Sequence, residues 1–216
     1  MSHVGNDIVD LKAPAAKGKS KDLRFLKRVL AKNETEIMLN SESPDTLLWL
    51  FWAAKETAYK AISKNSPAIT SAPLKYEVVL NMSDPYLCRG KVCTPSGIVN
   101  TRFVFDDDKV SCIGKTGTDD FSQVISGFGS INTEINVDYD TSSEQVSSLV
   151  REHAINSMSD YFNEPVSSFK IDRFSDDSGN PVPPVVLLNG KPSGVDISLS
   201  HDGRFYAYAW VLLTDL

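Results

Sequence analysis

"RFVFDDDKVSCIGK" (Arg102–Lys115) and "DISLSHDGRFYAYAWV" (Asp196–Val211) share one plan. In each, an alternating apolar strand meets four polar residues, Asp106–Lys109 or His201–Arg204, and an alternating strand runs back. A period of two is the mark of a strand with one buried face, and the short polar break reads as a hairpin. Working outward, each hairpin closes a half of the chain that holds one long helix. In the first half it is "LLWLFWAAKETAYKAI" (Leu47–Ile62), entered through Ser43, Pro44 and Asp45, which suit an N-cap and a first turn. In the second it runs from Thr141 to Phe162, with Val146, Leu149, Val150, Ala154, Met158 and Tyr161 at helical spacing and a capping box in "TSSEQ". "VGNDIVDL" (Val4–Leu11), "KYEVVLN", "RGKVCTP", "SFKIDRF" and "PPVVLLNG" read as further strands, and a helix is expected from Lys21 to Asn40. The expected fold is α+β: two similar lobes, each a small, mainly antiparallel sheet packed on a long helix. The expected boundaries are 1–118 and 142–216, with 119–141 as a linker whose Asp119–Gly129 stretch, rich in small polar residues, is a mobile crossing.

The 216 residues are enough for one large domain or two small lobes, each with a real core. The start, "MSHVGNDIVDL", has no basic region leading into an apolar one, so no secretory signal is read there. The longest apolar run, Leu47–Ala54, is eight residues, against roughly twenty for a membrane span. Cys88, Cys93 and Cys112 are an odd count without metal-ligand spacing, which suggests reduced thiols and a cytoplasmic protein. The net charge of −6 is uneven. Lys12–Lys32 holds eight basic residues and one acid, so that segment is +7 and the remainder −13. Nucleic acid, a phosphate-rich small molecule and an acidic protein are all candidate partners, as is plain solvation of an amphipathic helix that buries Leu23, Leu26, Val29 and Leu30.

Charges in the middle of so apolar a helix as Leu47–Ile62 need a reason. Glu56 and Lys60 are one turn apart and face the same way. An ordinary surface pair of this kind stabilises a helix by about 0.3 kcal/mol. Trp49, Trp52 and Ala53 share their side, however, and burying charges without a use is costly. Asp7, two residues after Gly5 in an apolar strand, either bonds local amides or belongs to a site. Were Asp7 and Glu56 to converge, two carboxylates and an ammonium would suit Mg²⁺ on phosphate oxygens, the inventory of phosphoryl transfer. His201 at a hairpin tip is either solvated or, with Ser198 and Ser200, part of a compact donor set for a phosphate. No Walker loop, dinucleotide fingerprint or nucleic-acid reader motif is present.

These residues together resemble the 4′-phosphopantetheinyl transferases. The family's G-x-D strand is matched by "GNDIVDL", its W/F-x-x-K-E-x-x-x-K helix by "WAAKETAYK", and its S-H turn after a G-K-P segment by "NGKPSGVDISLSH". "RFLKRVLAKNETEI" is similar to the basic helix and turn of the short holo-acyl-carrier-protein synthases. The resemblance covers about residues 4–64 and 149–211. It implies transfer of the phosphopantetheine arm of coenzyme A to a serine of an apo carrier protein. It also implies Asp7 and Glu56 on Mg²⁺, Glu56 as proton acceptor either directly or through a metal-bound water, and Lys60 on the α-phosphate. Ser200, His201 and Lys191 would contact coenzyme A phosphates, with Arg151 a further candidate. The basic helix, through Arg24, Lys27 and Arg28, would dock the acidic carrier. A non-catalytic coenzyme A-binding adaptor for an acidic partner is the alternative reading, and neither nucleic acid nor membrane is expected as a partner.

Two departures matter. Val9 stands where the two-lobed, surfactin-synthetase-activating type carries a second acid, so a two-carboxylate metal shell with water in the gap is expected. Asn6 replaces an apolar residue. The motif order is that of the short synthases, in a far longer chain. The chain is then either a short synthase with an insert, needing a trimer to complete its site, or a two-lobed protein with its halves swapped relative to the surfactin type. The matching hairpins favour the second, hence a monomer with its site between the lobes.

Overall fold

The computed structural model describes residues 2–66, 68–81, 88–131, 143–175 and 182–213. The first lobe runs β1 (Val4–Asp10), α1 (Leu23–Val29), α2 (Lys32–Leu39), α3 (Pro44–Ile62), β2 (Glu77–Asn81), β3 (Cys88–Thr94), β4 (Gly97–Phe105) and β5 (Lys109–Thr116). Its five strands form one antiparallel sheet in the order β1-β5-β4-β3-β2. The alternation read in the sequence is what lets one face of that sheet be apolar. Val92, Val99, Phe103 and Val110 meet Leu48, Phe51, Ala54 and Ala58 of α3 there, all buried. Contact between α3 and β1 is closest at Gly5, where a Cβ would lie 2.0 Å from the Thr57 carbonyl oxygen, so only glycine admits the helix.

The second lobe runs β6 (Ile125–Ser130), α4 (Ser143–Phe162), β7 (Phe169–Asp172), β8 (Val185–Leu188), β9 (Lys191–Pro192), β10 (Val195–Asp202) and β11 (Phe205–Leu212). Its strands lie in the orders β10-β11-β6 and β7-β8-β9. Ala154 and Met158 of α4 pack on Phe169, Ile171, Val186, Ile197 and Trp210. The chain thus repeats a plan: a strand, a long helix, then strands ending in a hairpin whose last member pairs with the first strand. β1 pairs with β5 and β6 with β11. The expected α+β fold with two similar lobes is what the structure has.

Leu23, expected in the buried stripe of its helix, is exposed, and two further details differ from the sequence reading. The Lys21–Asn40 helix is two helices, because Leu30 is extended (φ −109°, ψ 137°). The break lets the Glu34 carboxylate accept from the Ala31 and Val78 N–H groups and from Lys55, contacts an unbroken helix could not supply. The expected crossing at Asp119–Gly129 contains most of β6, within the stretch expected as a linker. Its sequence, "ISGFGS", hides the strand because Gly127 and Gly129 leave room for the rings of Tyr208 and Tyr206, which lie 2.7 and 2.6 Å from where their Cβ atoms would be. The expected capping box at Thr141–Gln145 begins outside the described residues. Among the described residues no helix is long and apolar enough to cross a membrane.

The lobes meet along β1. Its outward backbone N–H groups are covered by side chains of β10. Val4 N–H donates to Asp196 Oδ2 (2.7 Å), Asn6 N–H to Ser198 Oγ (2.9 Å) and Asp10 N–H to Asp202 Oδ2 (2.8 Å). A sheet edge would otherwise leave these donors open to water or to another strand. One end of the seam is held by Lys64 Nζ, which donates to Asp196 Oδ2 and to the Val4 and Ile197 carbonyls, with His3 Nδ1 3.1 Å from Asp196 Oδ1. The other end is held by Arg204, whose guanidinium grips both Asp10 oxygens at 2.8 Å.

Candidate functional site

The polar residues of α3 separate into two directions. Lys55 points into the core, where its Nζ donates to Val29 O (2.8 Å), Glu34 Oε2 (2.6 Å) and Pro73 O (3.1 Å). All three ammonium protons are used, which is how a side chain only 1% exposed stays buried. Glu56 and Lys60 point the other way, toward β1. Asp7 shares with Gly5 and Val9 the face of β1 turned to α3. There Lys60 Nζ donates to Asp7 Oδ1 (2.8 Å) and Asn6 O (2.9 Å).

Asp7, Glu56, His201 and Asp202 line one cleft of about 300 Å³, whose other wall is apolar and includes Phe25, Trp49 and Trp52. The three rings pack at centroid distances of 5.8–6.2 Å. Burial raises the Asp7 carboxyl above its ordinary range despite the opposing pull of Lys60. Burial also raises Glu56, and the Asp7 charge adds to it. Glu56 makes no hydrogen bond or ion pair with any described residue. A partly buried carboxylate with no partner, beside a second carboxylate and an ammonium, is poised to take a proton or a cation.

Among the described residues no group of three or more His, Cys, Asp or Glu side chains could hold a metal. Of the three carboxylates that line the cleft, Asp202 accepts from the Asp10 N–H in the seam, which leaves Asp7 and Glu56 as the donor pair. Hard oxygen ligands with open positions suit Mg²⁺, which keeps several waters and takes phosphate oxygens; the residues present fit that ion.

A second cleft, about 150 Å³, is lined by Lys60 with Tyr59, Lys64, Arg173 and Pro184, and by Ser198 and Leu199 of β10. Lys60 and Arg173 are near enough to His201 that, after burial, their charges are what lower its pKa. His201 Nε2 lies 3.4 Å from Ser147 Oγ of α4. This cationic flank was only partly visible in the sequence: Lys64 follows Lys60 by one turn but sits in no motif, and Arg173 is brought there by topology alone.

The structure brings together Asp7, Glu56, Lys60 and His201. Ser200 lies instead in the seam, where its Oγ accepts from Asn6 Nδ2 (2.9 Å). Every second residue of β10 faces β1, so Ser198 and Ser200 turn to the seam while His201 turns to α4. This also accounts for Asn6, whose amide an apolar residue could not replace. Arg151 on α4 and Lys191, exposed at the start of β9, line neither cleft. Arg24, Lys27 and Arg28 are exposed on α1, the helix that sends Phe25 into the first cleft.

No curated protein matches the chain. Among solved structures, the holo-[acyl-carrier-protein] synthase of Thermotoga maritima is similar at 10% identity and a TM-score of 0.41, over 89% of this chain and 86% of that one. Residues 3–87, which hold β1, α3 and both carboxylates, match the family model of the 4′-phosphopantetheinyl transferase superfamily, the family that the G-x-D strand and the K-E-x-x-x-K helix resemble.

Proposed function

We propose that the protein is a Mg²⁺-dependent 4′-phosphopantetheinyl transferase of the holo-acyl-carrier-protein synthase type. It moves the 4′-phosphopantetheine group of coenzyme A to a serine of an acidic apo carrier protein. The observation that carries this reading is the unpartnered Glu56 carboxylate facing the Asp7–Lys60 pair in one cleft, within the segment that matches the superfamily. Bound Mg²⁺, held by Asp7 and Glu56, would draw charge from the diphosphate. Glu56 accepts the proton of the serine hydroxyl. The serine oxygen then bonds to the phosphorus carrying pantetheine, and the bond from that phosphorus to the bridging oxygen breaks, releasing adenosine 3′,5′-bisphosphate. Lys60 has one ammonium proton beyond its bonds to Asp7 and Asn6, and directs it to the diphosphate with Arg173 and His201 as neighbours. Ser200, Lys191 and Arg151 remain candidates for coenzyme A contacts in the complex.

Carrier docking falls to Arg24, Lys27 and Arg28, whose charge complements an acidic partner. The division into lobes at 1–118 and 142–216, with β6 of the 119–141 stretch joining the second, supports this reading: β1 and α3 come from one lobe, His201 and Arg173 from the other. The protein is then a monomer with its site between the lobes, where a trimer would be required by a short synthase. The free thiols Cys88, Cys93 and Cys112 fit the cytoplasm.

Intact mass of apo carriers incubated with coenzyme A and Mg²⁺ tests the reaction. Addition of one phosphopantetheine is expected with the wild type. Glu56→Gln should lower the rate by about 10²–10⁴-fold with the fold intact, and the enzyme itself should run as a single chain of 23.8 kDa. Undiminished transfer by Glu56→Gln would overturn the assignment of the base.

A further inference from the structure

The face of the first sheet turned away from α3 carries a second, unassigned set of cations. In the register of β3 and β4, Arg89 lies directly opposite Arg102, and Lys91 opposite Asn100. All four project to the same face, because their neighbours Cys88, Gly90, Val92, Val99, Thr101 and Phe103 are buried on the other. Side chains directly opposite on an antiparallel pair are close, and like charges placed so repel. An opposing acid between them would remove the conflict. None of Arg89, Lys91 and Arg102 has an ion-pair partner among the described residues. In a chain of net charge −6, three cations left together are not a consequence of composition.

Arg102 is also built into place. Its guanidinium lies 4.4 Å from the ring centroid of Phe121, which is itself buried. Its Nε is buried with no hydrogen-bond partner. Arg89, Lys91 and Arg102 line a cavity of about 360 Å³ with Asn100, Phe121 and a single acid, Asp119. The lining is therefore +2, the sum of three cations and one anion.

We infer that this cavity is a binding site for a phosphate group, separate from the cleft that holds Asp7 and Glu56. Two guanidinium planes side by side present forked N–H pairs that a tetrahedral oxyanion can bridge, and the anion cancels their repulsion. Lys91 adds a third charge and Asn100 a neutral donor at the rim. A phosphate monoester, with up to two negative charges, balances the lining where a monocarboxylate does not.

The test is a titration of the full-length protein with inorganic phosphate, read by amide NMR shifts, with acetate and chloride at matched ionic strength as comparisons. Saturable shifts are expected at Gly90, Lys91, Thr101 and Arg102. Arg89→Gln and Arg102→Gln should each weaken the binding by about tenfold, and Lys60→Ala should leave these shifts unchanged. Arg89 is exposed, so its variant stays informative should loss of the Arg102 stack perturb the fold. Phosphate shifts confined to the surroundings of Lys60 and Arg173 would overturn the inference. So would wild-type binding by Arg89→Gln, or acetate binding as tightly as phosphate.

Discussion

Ser200 shows that a single hydroxyl can have a partner its neighbours in sequence do not reveal. In "SLSH" it reads as a phosphate donor next to His201. In the fold its partner is Asn6, 194 residues away, and that contact explains both residues at once. Replacing Ser200 by Ala leaves the Asn6 amide donor buried without an acceptor, which costs about 1–3 kcal/mol. The expected outcome is a lower urea midpoint. A large fall in rate at unchanged stability would instead place the hydroxyl on substrate. Asp7, Glu56 and Lys60 were legible because the G-x-D strand and the helical i,i+4 spacing are local. Arg173 was not, since nothing nearby in the chain announces it.

At the scale of elements, the two hairpins were readable from periodicity, and α3 from its capping residues and apolar run. A period of two or 3.6 survives in a single sequence whenever one face is apolar. β6 was hidden because its inward positions are glycines, filled by tyrosine rings from β11. The split between α1 and α2 was hidden because its cause is Lys55, far along the chain. That lysine also answers why an apolar helix carries adjacent charges: Lys55 anchors α3 to α2 and Glu56 faces the cleft. Lys55→Met should therefore destabilise the first lobe by about 3 kcal/mol, because Glu34 is left buried and uncompensated. Thermal and urea unfolding would register this. Adding Glu34→Gln to that variant should recover much of the loss, an outcome that an additive pair of defects would not give.

The whole molecule depends on the seam, and Asp10 gives that dependence a pH signature. Burial alone would raise the Asp10 carboxyl, but hydrogen bonds from the Arg204 side chain and from the Arg204 and Lys12 backbone outweigh it and hold the pKa at about 2. In the unfolded chain the value is about 3.9. A depressed carboxylate contributes stability that is complete above the unfolded value and is lost as pH falls toward the folded one. The contribution is about 2 kcal/mol, present at neutral pH and fading between about pH 4 and pH 2. Comparison of denaturant midpoints for the wild type and Asp10→Asn should show a gap near pH 6 that closes in strong acid. A gap independent of pH would mean that the ion pair does not hold the lobes together.

Because β10 reaches across to β1 within one polypeptide, the two walls of the cleft are tethered to each other at a fixed effective concentration. Specific activity should then hold constant however far the enzyme is diluted, whereas a cavity shared between separate subunits empties of function as its subunits part.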